Sequence, residues 1–150
     1  MHLHHVAIAV GDMERSLAFY RDALGLAVFQ DKVITGPDVD IALMETGARV
    51  RMVLVADEMG NMIELLGWLS PPVRERPPEH RRFTSRGLVE VSLMVSDLKK
   101  AEDRLRREGF SFRTPVWRFG GGLSAYGGAE ACIRYVADPD GGGVSLSLSL

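Results

Sequence analysis

An imidazole and a carboxylate stand at matching points of a sequence that is written twice. The segment His5-Val-Ala-Ile-Ala-Val-Gly-Asp12-Met returns as Glu90-Val-Ser-Leu-Met-Val-Ser-Asp97-Leu, every matched position lying 85 residues further on (5 to 90, 12 to 97). His5 and Glu90 open the two copies, and both side chains are of the kind that ligates metal ions or moves protons. Each copy reads as a strand running into a helix, so equivalent groups sit on equivalent strands. A duplicated unit with such residues at equivalent points suggests one site shared between two halves.

The elements that must position these groups follow from periodicity and punctuation. A strand over residues 3–10 places Val6, Ile8 and Val10 on one face, under the helix, and His5, Ala7 and Ala9 on the other. Asp12 caps a helix whose apolar positions Met13, Leu17, Tyr20 and Leu24 follow helical spacing, and Gly25 ends it. A strand over 27–34 is broken by Gly36-Pro37-Asp38. Residues 39–44 are ambiguous between a short helix and a strand. Residues 49–55 and 62–67 read as a hairpin turning at 57–61. Residues 70–82 carry four prolines in a dense mixture of charge, a composition for a linker rather than a core element.

The second copy repeats the plan. A strand over 88–95 sets Val89, Val91, Leu93 and Val95 against Glu90, Ser92 and Met94. Asp97 caps a helix carrying Leu98, Ala101 and Leu105, which Gly109 ends. Strands near 110–116, at 129–137 and at 144–150 follow, the last two joined by the turn Asp138-Pro-Asp-Gly-Gly-Gly143. In the final strand Val144, Leu146, Leu148 and Leu150 oppose Ser145, Ser147 and Ser149, a polar face suited to lining a cavity or solvent. Each half therefore reads strand, helix, three strands. The expected class is α+β, with βαβββ modules at 1–69 and 84–150 and a Pro-rich linker at 70–83.

Composition narrows the partners. The 150 residues are 46% apolar and 25% charged, as in an ordinary soluble globular protein. A net charge of −2 supplies no basic field, which argues against nucleic acid and anionic membrane as partners. No apolar run has the length of a membrane span, and Met1-His-Leu-His4 is no signal peptide, so a cytoplasmic location is expected. Cys132 is the single cysteine and lies in an alternating strand-like segment, where a buried, inert thiol is expected.

Taken together, the chain resembles the vicinal oxygen chelate superfamily, which includes glyoxalase I, bleomycin-resistance proteins, extradiol dioxygenases, methylmalonyl-CoA epimerase and fosfomycin-resistance enzymes. The resemblance is carried by His5-Val-Ala-Ile-Ala-Val with Asp12, by Ser16-Leu-Ala-Phe-Tyr-Arg-Asp-Ala-Leu-Gly25 and by Ile63-Glu-Leu-Leu66. It continues in Gly87 through Asp97 and in Asp138-Pro-Asp-Gly141 before the last strand. It implies paired βαβββ modules whose sheets curl into a half-open cup, often completed by a homodimer. In metal-using members the ligands come from the first and last strand of each module. By that correspondence they fall on His5 and Glu64, on Glu90 where histidine is more usual, and on Ser145 where glutamate is more usual.

The resemblance leaves two chemistries open. One imidazole and two carboxylates suit Zn²⁺, Mn²⁺, Fe²⁺, Co²⁺ or Ni²⁺, and the gap at Ser145 leaves room for water and substrate oxygens. The ion would act as a Lewis acid in a lyase, isomerase or epimerase reaction by proton transfer beside a carbonyl. A ring-cleaving dioxygenase is a further member of this class. Without a metal, Glu64 and Glu90 would be an acid–base pair with His5 nearby, or the walls of a sequestering cup that binds a small molecule unchanged. Glu64 and Glu90 are the catalytic candidates in either enzyme. Ser145, Trp117 and Tyr126 are substrate-binding candidates, Tyr126 within the Gly-rich stretch 119–128, which is either a lid over the cup or a surface loop. A homodimer is expected, because open sheets need covering.

Overall fold

The computed structural model describes residues 2–119 and 130–149. It divides into two units, Met1–Glu75 and Arg76–Leu150. The first contains β1 (His5–Val10), α1 (Met13–Leu17) running on into a π-helical turn (Ala18–Ala23), β2 (Ala27–Thr35), α2 (Pro37–Leu43), β3 (Arg49–Ala56) and β4 (Met62–Ser70). Its sheet has the order β1-β4-β3-β2, with β1 parallel to β4 and the other pairs antiparallel. The Asp12 carboxylate accepts from the Arg15 amide at 3.1 Å and caps α1 as expected.

Beyond Leu17 the helix departs from the predicted spacing. Its wider π turn buries the adjacent Phe19 and Tyr20 together, both with no exposed surface, their rings edge to face at 4.9 Å. Leu24, expected on the buried face, stays partly exposed. Of the ambiguous stretch 39–44, residues 39–43 are helix and Met44 caps it in the left-handed conformation. Pro37 occupies the first turn, where its missing N–H costs nothing. The Asp40 carboxylate then ties the exit down, accepting from the amides of Gly47 (2.9 Å) and Ala48 (2.8 Å).

Register sorts the faces of this sheet. Val6, Ile8 and Val10 of β1 lie opposite Ile63, Leu65 and Gly67 of β4, which lie opposite Val55, Val53 and Arg51 of β3. Arg51 reaches Glu14 of α1, so this is the helix side. Most of its apolar members are buried, and each such side chain contributes about 1.5–3 kcal/mol. His5, Glu64 and Leu54 belong to the opposite face by the same register.

The second unit contains β5 (Glu90–Met94), α3 (Leu98–Arg107), β6 (Trp117–Phe119), β7 (Ala131–Ala137) and β8 (Gly143–Ser149). Its sheet order is β5-β8-β7-β6, again with the first pair parallel. Asp97 caps α3 by accepting from the Lys100 amide at 2.9 Å, and Leu98, Ala101 and Leu105 are its buried face as expected. Glu102 is buried beside them. Its Oε2 lies 2.7 Å from Nη1 of Arg134, whose guanidinium also covers the Phe112 ring at 4.2 Å.

One expectation is corrected here. The strand placed near 110–116 is not one: Phe112 makes an isolated bridge with Val136, and the pairing strand is Trp117–Phe119. Pro115 has no amide to give to a ladder. Side-chain bonds serve instead: the Tyr135 amide donates to Thr114 Oγ1 (3.1 Å) and Arg134 Nε donates to the Thr114 carbonyl (3.0 Å). On the serine face of β8, expected to line a cavity or solvent, Ser145 and Ser147 are 0% and 1% exposed while Ser149 at the strand end is exposed. The α+β class and the repeated βαβββ plan hold, with α2 as an addition to the first copy. Among the described residues no helix is long and apolar enough to cross a membrane.

Candidate functional site

In the first unit His5 and Glu64 meet across the parallel pair β1–β4. His5 lies opposite Met62 and Ala7 opposite Glu64, so the two side chains approach on the diagonal of one face. His5 Nε2 is 3.4 Å from Glu64 Oε2, with side-chain exposures of 36% and 17%. His4 Nδ1 lies 2.8 Å from His5 Nδ1, so one of the two rings carries the proton between them and the Nε2 edge of His5 is the one turned to Glu64. Glu64 is placed by the β3–β4 hairpin. Its turn is held by Asp57, whose carboxylate accepts from the amides of Met59 and Asn61 and from the Asn61 side chain. Those donors, the Asn61 side chain foremost, hold the Asp57 carboxyl below the usual carboxylate range.

In the second unit Glu90 stands at the start of β5, opposite Gly143 of β8, and Ser145 lies two residues along β8 between Ser92 and Tyr135. Ser145 is fully buried and its hydroxyl has no hydrogen-bond partner; Glu90 Oε2 is likewise buried and unpartnered. Tyr135, which sequence reasoning did not single out, lies on the same face of this sheet as Glu90 by register. Burial first, then the nearby Glu90 carboxylate, push its phenol above the ordinary range. The signal that could have found it lies in the repeat: Tyr135 faces Ser145 across the ladder as Leu54 faces Glu64.

This arrangement, strand for strand, has known counterparts. The profile of the Glyoxalase/Bleomycin resistance protein/Dioxygenase superfamily matches residues 2–146. The chain belongs to that superfamily. The uncharacterized protein YwkD of Bacillus subtilis (strain 168) is 30% identical over 107 residues, 71% of each chain. A glyoxalase family protein from Bacillus cereus shares the fold with a TM-score of 0.84 at 19% identity, over 99% of this chain and 93% of that one. A glyoxylase/bleomycin resistance protein/dioxygenase domain from Frankia sp. EAN1pec follows at 0.68 and 19%, over 100% and 93%. At such identity the structural likeness speaks for the fold alone.

For this superfamily member, the sequence-predicted residues sort as follows. His5 and Glu64 are brought into contact in the first unit. Glu90 and Ser145 belong to the second sheet, and Trp117, opposite Ile133 two residues before Tyr135, falls on the same face of it by register. Trp117 is half exposed and stacks on Phe119 with centroids 4.8 Å apart. Tyr126 lies outside the described residues. The imidazole nitrogen beside a carboxylate in the first unit is a donor pair of the kind that suits a divalent ion. Among the described residues no group of three or more His, Cys, Asp and Glu side chains is gathered at metal-ligand spacing.

Proposed function

We propose that this protein is a small-molecule enzyme of the isomerase or lyase kind, moving a proton beside a carbonyl with a divalent ion for which His5 and Glu64 are ligands. The observation that carries this reading is the His5–Glu64 contact, an imidazole Nε2 at 3.4 Å from a carboxylate on a partly buried pair of strands. Such an ion, when bound, supplies Lewis-acid stabilisation of the negative charge that develops on a carbonyl oxygen. The chain's own groups do the rest. His5 and Glu64 present an imidazole nitrogen and a carboxylate oxygen side by side. A proton taken from substrate rests on the Glu64 carboxylate beside His5. A homodimer belongs to the same proposal: the edge strand β2 leaves Phe29 73% and Val33 49% exposed, apolar surface that a second copy would cover.

A second reading, sequestration of a small molecule without metal or turnover, is favoured by the fully buried Ser145 standing in place of a fourth ligand. Elemental analysis of untagged protein after exchange against a weak chelator, followed by titration with divalent ions, separates the two. About one ion per chain supports the enzyme. No ion and no uptake rejects the ion-held mechanism in favour of sequestration.

A further inference from the structure

Asp31 and Lys32 are sequence neighbours of opposite charge, and the pleat of β2 keeps them apart. Asp31 goes to the helix side of the first sheet, where its carboxylate accepts from Arg51 Nε at 3.0 Å and from Nη2 at 2.8 Å. Lys32 goes to the other face. There it lies opposite Met52 of β3, which lies opposite Leu66 of β4. The adjacent row on that face is Gln30, Leu54 and Glu64, so Lys32 shares the face with the His5–Glu64 pair. Across these rows Glu64 is the one acid and Lys32 the one Lys or Arg among the described residues. Lys32 is exposed and has no ion-pair partner among them, because its neighbouring acid is committed to Arg51 on the far side.

The path from Glu64 to Lys32 crosses two strand spacings and two residues of rise, about 12 Å between Cα atoms. The ground between them is apolar, made by Leu54, Leu66 and Met52. A donor pair, an apolar stretch and a fixed cation thus follow one another on one face of one sheet.

We propose that Lys32 is the anion-recognising residue of this face, and that its substrate class is an acyl compound with the reacting carbonyl at one end, an apolar chain between and a carboxylate at the other. The chain lies on Leu54, Leu66 and Met52, where it removes apolar surface from water. The ammonium is a compact charge on a flexible stem and pairs with the far carboxylate. Because Lys32 is exposed, the pair selects among substrates more than it supplies affinity. The carbonyl at the His5–Glu64 end rests on the function proposed above; the hold of Lys32 on an anion does not. A lysine on an edge strand also discourages pairing with another chain, a role that involves no ligand. Ligand selectivity tells the two roles apart.

The probes are suberic monohydroxamic acid and its methyl ester, which share a chain and a head of two adjacent oxygens and differ in the charge of the far end. Each is titrated calorimetrically into full-length wild type, Lys32→Gln and Lys32→Arg, with and without Zn²⁺, at low ionic strength. Wild type is expected to bind the acid about 2–5-fold more tightly than the ester, the scale of an exposed ion pair. Lys32→Gln should bind both alike, holding the ester as wild type does, and Lys32→Arg should keep the preference. Added salt should shrink it in wild type. A preference as large in Lys32→Gln as in wild type, or none in wild type, overturns the proposal and leaves Lys32 its edge-strand role. Failure of wild type to bind either probe, in either form, overturns it too. Wild type that takes up no Zn²⁺ rejects the ion-held function, and the same comparison on the metal-free protein then supports or overturns the role of Lys32.

Discussion

Glu64 and Ser145 occupy the same place in the two sheets: Glu64 lies between Ala7 and Leu54, and Ser145 between Ser92 and Tyr135. Glu64 keeps 17% of its side chain exposed and faces His5 at 3.4 Å, whereas Ser145 is fully buried with its hydroxyl unpartnered. One position is a charged group in contact with a potential co-ligand, the other a neutral group with no bond to make. They should respond to mutation in opposite ways.

Glu64→Gln removes a charged donor while keeping its shape. Divalent-ion affinity, measured by calorimetric titration with Zn²⁺, is expected to fall by more than the about 10–100-fold typical of an outer partner. Wild-type stoichiometry and affinity in this variant would reject the ligand scheme.

Ser145→Ala should leave the protein as stable or more so. A buried hydroxyl without a partner carries a desolvation cost of about 1–3 kcal/mol, and alanine removes it without creating a large cavity. Urea denaturation measures the change. A loss exceeding about 1 kcal/mol would mean that the hydroxyl is bonded in solution.

The Glu102–Arg134 pair, 2.7 Å apart with side-chain exposures of 10% and 15%, should be far more sensitive to losing one partner than both. Glu102→Leu strands the guanidinium, and a cost of about 3–5 kcal/mol is expected. Adding Arg134→Met to that variant should recover most of it. Equal losses in the single and double variants would show that Arg134 is held by Phe112 and the Thr114 carbonyl rather than by the carboxylate.

Asp57 predicts a pH dependence in the turn that places Glu64. Its folded pKa is depressed, chiefly by the Asn61 side chain, so the stability it contributes is present above its unfolded pKa of about 3.9 and lost as pH falls through the folded value. Asp57→Ala should cost about 0.5–1.5 kcal/mol at neutral pH, towards the lower end because the turn is solvated. The difference from wild type should close below about pH 4, read from denaturation midpoints across pH. A difference that persists unchanged into acid would mean that the carboxylate's charge plays no part.

Much of this protein was written in its local chemistry. The 85-residue echo of His5 in Glu90 marks two strand–helix units, and Asp12 and Asp97 cap their helices because a short carboxylate needs only the next turn's amides as partners. The hairpin at Asp57 and the buried stripe of Leu98, Ala101 and Leu105 are legible for the same reason: neighbours within a few residues decide them. Tertiary structure decided what depends on partners far along the chain. Tyr135 shares a sheet face with Glu90 across 45 residues of sequence (135 − 90) because β8 pairs with both their strands, an outcome of register. Arg134 is buried because Glu102 and Phe112 are brought to it, and the pairing strand moved from 110–116 to Trp117–Phe119 because Pro115 has no amide to offer. Periodicity records which face a side chain is on; only the folded ladder, satisfying every buried donor and charge at once, determines which distant residue stands opposite it.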